Sequence, residues 1–369
     1  MYKINGKLII IAGGGSGGHL FPAIAIGDEL EKYGYTVRYI GSKFGIESKI
    51  FKNLDKSYDL LKIKGIHRSY SFQNILDNLI LPLRLIFSLY KTIKIFNNMK
   101  PNIVIGTGGY ASGIPLLASK IIKTKSIIHE QNSFPGLTTR KFSNLVNKVC
   151  ITNEECNKYL NCKTILTGLP IRNNIKKIGK DIAKENLGLS KSKKTIFILG
   201  GSQGSKVFNE YFLNNYQFYI ENNIQLIWQC GHKNINLYNE KISDKNIILR
   251  DFFDEISIPY SASDLIISRS GAVTINEIAL LKKTMILVPL ETSAGNHQLY
   301  NAKSFSDNNA ALLIEQNDFY HNYVKNKVIN LINNSTEQKE MSENAYKIVK
   351  KNALKNIVSE VIKLDKNYA

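Results

Sequence analysis

Two glycine-rich turns, each set between an apolar strand and a helix, constrain this chain more than any other feature. The first follows Leu8-Ile-Ile-Ile-Ala12 and reads Gly13-Gly-Gly-Ser-Gly-Gly-His-Leu-Phe-Pro22. The second follows Thr195-Ile-Phe-Ile-Leu199 and reads Gly200-Gly-Ser-Gln-Gly-Ser205. Residues without side chains let a phosphate come close to the backbone, and the helix that follows offers unpaired N–H groups and the positive end of its dipole. Two such turns, near the start of each half, predict two nucleotide-binding-type α/β domains.

Gly13, Gly15 and Gly18 have the G-x-G-x-x-G spacing of a dinucleotide site, which normally carries an acidic residue about 20 residues later for a ribose diol. The second strand, Thr36-Val-Arg-Tyr-Ile40, ends in Gly41-Ser42 and supplies no carboxylate, so a conventional NAD site is not expected. Neither turn has the lysine of a P-loop. The unusual residue is His19, just after the glycines where a helix should begin; its position alone fits a chemical role and a capping or packing role equally well.

At 369 residues the chain exceeds one comfortable core, which predicts two domains. Cys150, Cys156, Cys162 and Cys230 show no metal-binding spacing and read as reduced thiols of a cytoplasmic protein. The net charge of +19 favours polyanions, although a bias toward Lys, Asn and Ile would produce it too. Lysines are scattered, with no arginine-rich arm or aromatic-plus-basic motif, so nucleic acid is not expected as a partner. Met1 to Lys7 is polar and leads directly into a strand, so no secretory leader is expected, and no apolar run is long enough to cross a membrane.

The first half alternates strands read at 7–12, 36–40, 102–106, 125–129, 148–152 and 163–167 with helices at 20–33, 43–53, 72–97, 112–122, 136–145 and 153–160. The second half repeats the rhythm, with strands at 194–199, 224–229, 246–250, 264–268, 285–288 and 310–314. Its helices are read at 204–220, 233–240, 256–262, 272–282, 295–307, 319–333 and 336–350. Such alternation implies parallel sheets with functional loops at the carboxyl ends of the strands. The division is placed in Gly168-Leu-Pro-Ile-Arg-Asn-Asn174, giving domains 1–168 and 169–352, with an amphipathic C-terminal helix in 353–369 expected to fold back onto the first.

The stretch 72–97 is more apolar than one buried face requires. Leu76, Leu79, Ile80, Leu83, Ile86, Phe87, Tyr90 and Ile93 form a helical stripe, Ile75, Leu81, Leu85 and Leu89 widen it, and Arg84, Lys91 and Lys94 stand among them. This predicts a helix at a lipid interface, with Ile75, Leu79, Leu83 and Phe87 inserted and cations at the headgroups; a buried helix between sheet and neighbours would give a similar pattern.

Further polar turns follow strands. Gly106-Thr-Gly-Gly-Tyr-Ala-Ser-Gly113 follows Ile103-Val-Ile105, and His129-Glu-Gln-Asn132 follows Ser126-Ile-Ile128. In the second half Ser268-Arg-Ser-Gly-Ala-Val-Thr-Ile-Asn-Glu277 follows Asp264-Leu-Ile-Ile267, placing Glu277 early in a helix where it could hold a ribose diol or merely act as a capping-type glutamate. With Gly168-Leu-Pro-Ile-Arg172, Trp228-Gln229, Gly231, Gln298 and Asn301-Ala302, this ordered set closely resembles the MurG family, the UDP-N-acetylglucosamine:undecaprenyl-pyrophosphoryl-muramoyl-pentapeptide N-acetylglucosaminyltransferases of peptidoglycan synthesis. The resemblance runs from Gly13 to about Ala302. Ser16 stands for a usual Thr, Leu169 for an Asn and Cys230 for a Thr, and Glu291-Thr-Ser-Ala-Gly-Asn-His297 departs from a usual charged run, which leaves local donor contacts there less defined.

The resemblance implies a GT-B architecture, two Rossmann-like parallel-sheet domains facing across a deep cleft. It implies inverting transfer of N-acetylglucosamine from UDP-N-acetylglucosamine to the 4-hydroxyl of the muramoyl sugar of undecaprenyl-pyrophosphoryl-MurNAc-pentapeptide. Donor-binding positions carry over to Ser16, Gly17, Gly18, Asn132, Arg172, Ser202, Phe253, Ala272, Val273, Thr274, Ile275, Asn276, Glu277 and Gln298. Gly108, Gly109 and Tyr110 would contact the acceptor, and His19 would be the base, with His129 and Glu130 as secondary candidates that orient it or the acceptor. No cofactor is expected, and the lack of a D-x-D motif agrees with metal-independent catalysis. A lipid-linked acceptor implies a peripheral protein at the cytoplasmic face of the inner membrane, attracted to anionic lipids. The rival readings are a GT-B enzyme with another lipid acceptor, such as diacylglycerol, and a non-catalytic nucleotide-sugar sensor.

Overall fold

The computed structural model describes residues 6–54, 56–65, 72–171, 175–233 and 235–366. The chain forms two compact units, residues 1–172 with 350–369, and residues 173–349, so the divisions fall a few residues from the 168 and 352 read from sequence.

Among the described residues the first unit holds a parallel seven-stranded sheet: β1 (Leu8–Ala12), β2 (Thr36–Ser42), β3 (Tyr58–Leu61), β4 (Ile103–Gly106), β5 (Lys125–Glu130), β6 (Lys148–Ile151) and β7 (Thr164–Leu166), in the order β3-β2-β1-β4-β5-β6-β7. The crossovers include α1 (Gly17–Lys32), α2 (Glu47–Asn53), α3 (Phe72–Met99), α4 (Tyr110–Ile121) and α5 (Leu137–Phe142). The central strands are apolar on both faces, as a sheet covered by helices on each side requires.

The second unit contains α6 (Lys180–Asn186), β8 (Lys194–Leu199), α7 (Lys206–Glu221), β9 (Ile224–Gln229), α8 (Ile235–Lys241), β10 (Ile247–Arg250) and α9 (Ser257–Ala262). It continues with β11 (Leu265–Ser268), α10 (Ala272–Leu280), β12 (Thr284–Leu287), α11 (His297–Ser306), β13 (Leu312–Leu313), α12 (Tyr323–Asn333) and α13 (Ser335–Ile348). Its parallel sheet runs β10-β9-β8-β11-β12-β13. Trp228 lies in its core beside Phe212 and Tyr238 and satisfies its indole N–H on Asn209 Oδ1 at 3.0 Å.

The last helix, α14 (Ala353–Lys366), belongs to the first unit. Ile357, Val358, Val361 and Leu364 share one helical face and enter the core that holds Leu20, Ile26 and Leu30 of α1. Lys7 to Asp365 at 2.8 Å and Lys148 to Glu360 at 2.7 Å flank that face.

Two elements lie outside the sequence reading. β3 is a half-buried edge strand with a charged residue in its middle, and Asp59 pairs across to Arg38 of β2 at 2.7 Å. α6 is a short, charge-rich helix with only Ala183 and Lys184 fully buried. The helix read at 153–160 is a 3-10 turn, Glu154–Tyr159, begun by Asn153 accepting from the Glu155 N–H.

α3 divides along its length. Ser88, Thr92 and Phe96 are buried, and Leu89 and Ile93 pack beside Phe96 and Val104, so Ile93 leaves the stripe read from sequence. Ile75, Leu76, Leu79, Leu83, Ile86, Phe87 and Tyr90 are exposed. Arg84 turns to Asp77, which also binds Lys64. No helix among the described residues is long and apolar enough to cross a membrane.

Candidate active site

In each unit the strand order reverses beside its first strand, between β1 and β4 and between β8 and β11. An open α/β sheet binds ligands outside the carboxyl ends of its strands at that point. Ala12 pairs with Gly106 and Leu199 with Ser268, so in each unit two of the glycine-bearing turns emerge side by side.

In the first unit the turn after β1 is braced from within. Glu47, at the start of α2, is wholly buried and accepts from the Gly15 N–H at 2.8 Å and the Ser42 N–H at 2.7 Å. Tyr110 packs its ring against Gly15 and Gly65, and its hydroxyl pKa is raised by desolvation. Ser16 precedes α1 in extended conformation without capping it by its side chain, and a Cβ on Gly18 would meet only the Ser16 hydroxyl, at 3.8 Å. The α1 N-terminus therefore keeps backbone donors that a cap would otherwise take.

His19 lies on that first turn of α1, half-buried, with Nδ1 3.1 Å from the Thr107 carbonyl and 3.2 Å from Gln131 Oε1. The turn after β4 passes over its ring. A Cβ on Gly108 would sit 2.7 Å from His19 Nδ1, and one on Gly109 would sit 2.3 Å from the Gly14 carbonyl oxygen; both glycines have positive φ. Their lack of side chains is already required to seat the histidine.

The two secondary candidates sit in different surroundings. Glu130 is buried and turns back on its own loop: Oε1 accepts from Asn132 N and Nδ2, and Oε2 from Gly136 N and Thr139 Oγ1. A carboxylate so engaged is a loop brace and is poorly placed to take a proton. His129 is fully buried, its Nε2 bonds the Gly168 carbonyl at 2.9 Å, and burial pushes its pKa down to about 4. It stays neutral and reaches His19 only through Gln131.

In the second unit Gly204 has φ +75° and lies so close to Cys230 that a Cβ would sit 1.9 Å from its carbonyl oxygen, which locks the turn after β8 to the turn after β9. Ser202 is exposed on this turn. Gln229 ties it to the next loop, donating to the Gly201 carbonyl at 3.0 Å and accepting from the Phe253 N–H at 3.1 Å. That N–H is thereby engaged inside the protein, and the Phe253 ring meets Phe197 edge-on. Arg269 donates to Ser205 Oγ and to the carbonyls of Val288 and Pro289, fixing three loops at the same end of the sheet.

The run 272–277 does not act as one block. Ile275 is a core residue and Asn276 folds its amide back to the Ala272 carbonyl, so both side chains are turned into the fold. The helix-start N–H groups of Ala272, Val273 and Thr274 precede the first intrahelical bond, which Ile275 makes to Gly271. Glu277 is buried on the next turn and accepts from the Tyr260 hydroxyl at 3.1 Å. Gln298 accepts through Oε1 from the Leu290 N–H at 3.0 Å, which orients its amide nitrogen as the group able to donate outward. Arg172 lies outside the described residues. Sequence reasoning assigned no role to Glu47, Gln131, Gln229 or Arg269; the polar runs around Gln131 and Arg269 were visible, but their partners are distant in sequence.

Two family models match the chain, the glycosyltransferase family 28 N-terminal domain over residues 9–151 and the glycosyltransferase family 28 C-terminal domain over 195–361. A protein of Flavobacterium psychrophilum is 34% identical over 362 residues, covering 96% of this chain and 97% of its own length. One of Finegoldia magna is 35% identical over 366 residues, covering 96% and 98%. Both are named UDP-N-acetylglucosamine–N-acetylmuramyl-(pentapeptide) pyrophosphoryl-undecaprenol N-acetylglucosamine transferase. Among solved structures, Acinetobacter baumannii MurG has a TM-score of 0.79 at 24% identity, covering 97% of this chain and all of that one. The calicheamicin glycosyltransferase CalG4 has 0.73 at 10% identity over the whole of both chains. These structural likenesses give the fold, GT-B.

Proposed function

The chain belongs to the MurG family of family 28 glycosyltransferases, and from that premise we propose how its residues divide the reaction. It moves N-acetylglucosamine from UDP-N-acetylglucosamine onto undecaprenyl-pyrophosphoryl-MurNAc-pentapeptide, the step from lipid I to lipid II. The observation that carries this reading is relatedness along almost the whole chain, with family glycines and polar residues at the switch points of both sheets.

The second unit holds the donor. UDP leaves with negative charge growing on its pyrophosphate, and fixed N–H dipoles stabilise that charge without reorganising. The turn at Gly200–Gly204 with Ser202 and the N-terminus of α10 supply such dipoles. Glu277 accepts from both ribose hydroxyls, a task for which a carboxylate has ample lone pairs. The Gln298 amide reads sugar hydroxyls and the acetamido group.

The first unit takes the acceptor. His19 removes the proton of the muramoyl 4-hydroxyl as that oxygen attacks the anomeric carbon and UDP departs, inverting the configuration there. Imidazole suits this because its ordinary pKa lies near neutrality. The uncapped start of α1 at Gly17 and Gly18, read from sequence as donor-binding, offers N–H groups to a substrate phosphate, and the exposed apolar face of α3 lies in the headgroup region of an anionic membrane, peripheral to it, at the cytoplasmic face where the lipid-linked acceptor is presented. The test is UDP release measured with and without a lipid-linked muramoyl-pentapeptide. Release that needs this acceptor supports the assignment, and equal release with diacylglycerol overturns it.

A further inference from the structure

We propose that Gln131 is a positioning residue that fixes the tautomer of His19, and that His129 in turn fixes the orientation of the Gln131 amide. The inference rests on the reading of His19 as the base. A neutral imidazole can accept a proton only at the nitrogen that carries none, so a base must present that nitrogen and no other to the hydroxyl.

Two backbone carbonyls set the direction of every bond in the chain, because a carbonyl oxygen can only accept. At one end His129 Nε2 lies 2.9 Å from the Gly168 carbonyl, so Nε2 bears the hydrogen and Nδ1 is an acceptor. In the middle Gln131 Nε2 lies 2.6 Å from the Thr107 carbonyl and 3.5 Å from His129 Nδ1, both acceptors. The amide nitrogen therefore points to this side and Oε1 to the other. There Oε1 stands 3.2 Å from His19 Nδ1, with the Thr107 carbonyl 3.1 Å away, so Nδ1 faces two acceptors and must carry the hydrogen. The lone pair is left on Nε2 of His19.

The frame that holds these groups is rigid. Thr107 donates from its N–H to the Ala12 carbonyl at 2.9 Å and from its hydroxyl to the His19 carbonyl at 3.0 Å, so the residue that supplies the acceptor is tied to the main chain of the histidine it aligns. His129 and Gln131 are both buried, which denies water as a substitute partner. The burial that keeps His129 neutral also keeps its Nδ1 an acceptor; a protonated His129 would confront the Gln131 amide nitrogen with a second donor.

The test uses the full chain with ¹⁵N-labelled histidine, His19 being assigned by the signal lost in His19→Ala. The parent is expected to show a protonated Nδ1 and a bare Nε2. In Gln131→Met, close in volume and without hydrogen bonds, the Thr107 carbonyl is left as the single acceptor at Nδ1, so part of the His19 population is expected to shift to the tautomer with its hydrogen on Nε2, and kcat to fall about tenfold or more with donor KM unchanged. A parent His19 with its hydrogen on Nε2 overturns the proposal, and that spectrum decides even if the variant fails to fold. A Gln131→Met variant that loses turnover while His19 keeps the parent spectrum overturns it too, since Gln131 would then act by other means. Normal turnover of His19→Ala would remove the base assignment itself, an outcome separate from either spectrum.

Discussion

Changing Leu79 and Phe87 together to serine should remove attachment to anionic vesicles and leave the fold standing. The two side chains are 70% and 71% exposed on α3, so most of each is still in water when the chain is folded. Full burial of such a side chain is worth roughly 1.5–3 kcal/mol, so inserting the wet seven-tenths is worth about 1–2 kcal/mol each and about 2–4 kcal/mol for the pair. At about 1.4 kcal/mol per factor of ten, vesicle partitioning should fall between roughly 30-fold and 700-fold. The folded state loses only the small buried remainder and some helix propensity, together about 1–2 kcal/mol. The assay is co-sedimentation with vesicles containing phosphatidylglycerol, alongside thermal melting. Turnover on a short-chain, water-soluble acceptor should survive, since neither residue touches the His19 network. A large fall in Tm would show that the face is packed core, and retained binding in a well-folded double variant would place the lipid contact on another surface.

Other outcomes follow from the two sites. Glu277→Ala should raise donor KM strongly, by the roughly 1.5–3 kcal/mol of hydrogen bonds to a charged acceptor, with the fold kept but melting lowered because the buried Tyr260 hydroxyl loses this acceptor; an unaltered KM removes Glu277 from the ribose. His19→Ala should lower kcat on the order of a hundredfold or more with a smaller effect on donor KM, measured at saturating acceptor, and normal turnover would place the base elsewhere. Glu47→Ala should destabilise the first unit by about 2–5 kcal/mol, because the buried Ser42 N–H and the half-buried Gly15 N–H lose their acceptor; denaturant titration showing under 0.5 kcal/mol would mean that water replaces it. His129 is held near pKa 4 in the fold against 6.5 when free, so below pH 6.5 the unfolded chain binds a proton that the folded chain does not. Its contribution, about 3 kcal/mol, is intact above pH 6.5 and is lost as pH falls toward 4, and a His129→Asn variant should show a correspondingly flatter stability profile over that window.

What the sequence revealed and what it hid divide along physical lines. Strand–glycine–helix punctuation is local, and it located the turns after β1, β4 and β8 because a phosphate-sized approach to backbone leaves a mark in composition. The apolar stripe of α3 was equally local, yet where the helix dips into the core, at Ile93, depended on the neighbours Phe96 and Val104. Glu47 and Glu130 could not be told apart from catalytic acids in the sequence, since only tertiary placement shows a carboxylate turned onto its own backbone. The block 272–277 was read as a unit because the motif is contiguous, whereas a period of 3.6 sends Ile275 inward and leaves three N–H groups at the helix start. β3 escaped because a paired Arg38–Asp59 across two strands replaces the apolar run by which strands are found.

The two units share a topology and differ in what stands at the same points of it, and that difference agrees with the roles proposed for them. At the switch point of the first unit an imidazole follows the glycines, and the two nearby carboxylates are buried against backbone N–H groups. At the switch point of the second there is no histidine; serines, an arginine and a helix start occupy the same positions. A departing nucleoside diphosphate needs donors that are already oriented and has no use for a base, whereas an attacking hydroxyl needs a lone pair and would be hindered by a cation competing for its oxygen. Turning Glu47 and Glu130 inward serves the same end, for a carboxylate facing outward beside α1 would repel an acceptor that carries its own pyrophosphate. On the proposed reading, the same doubly wound sheet serves as a proton-accepting half and a charge-stabilising half, by what its turns carry.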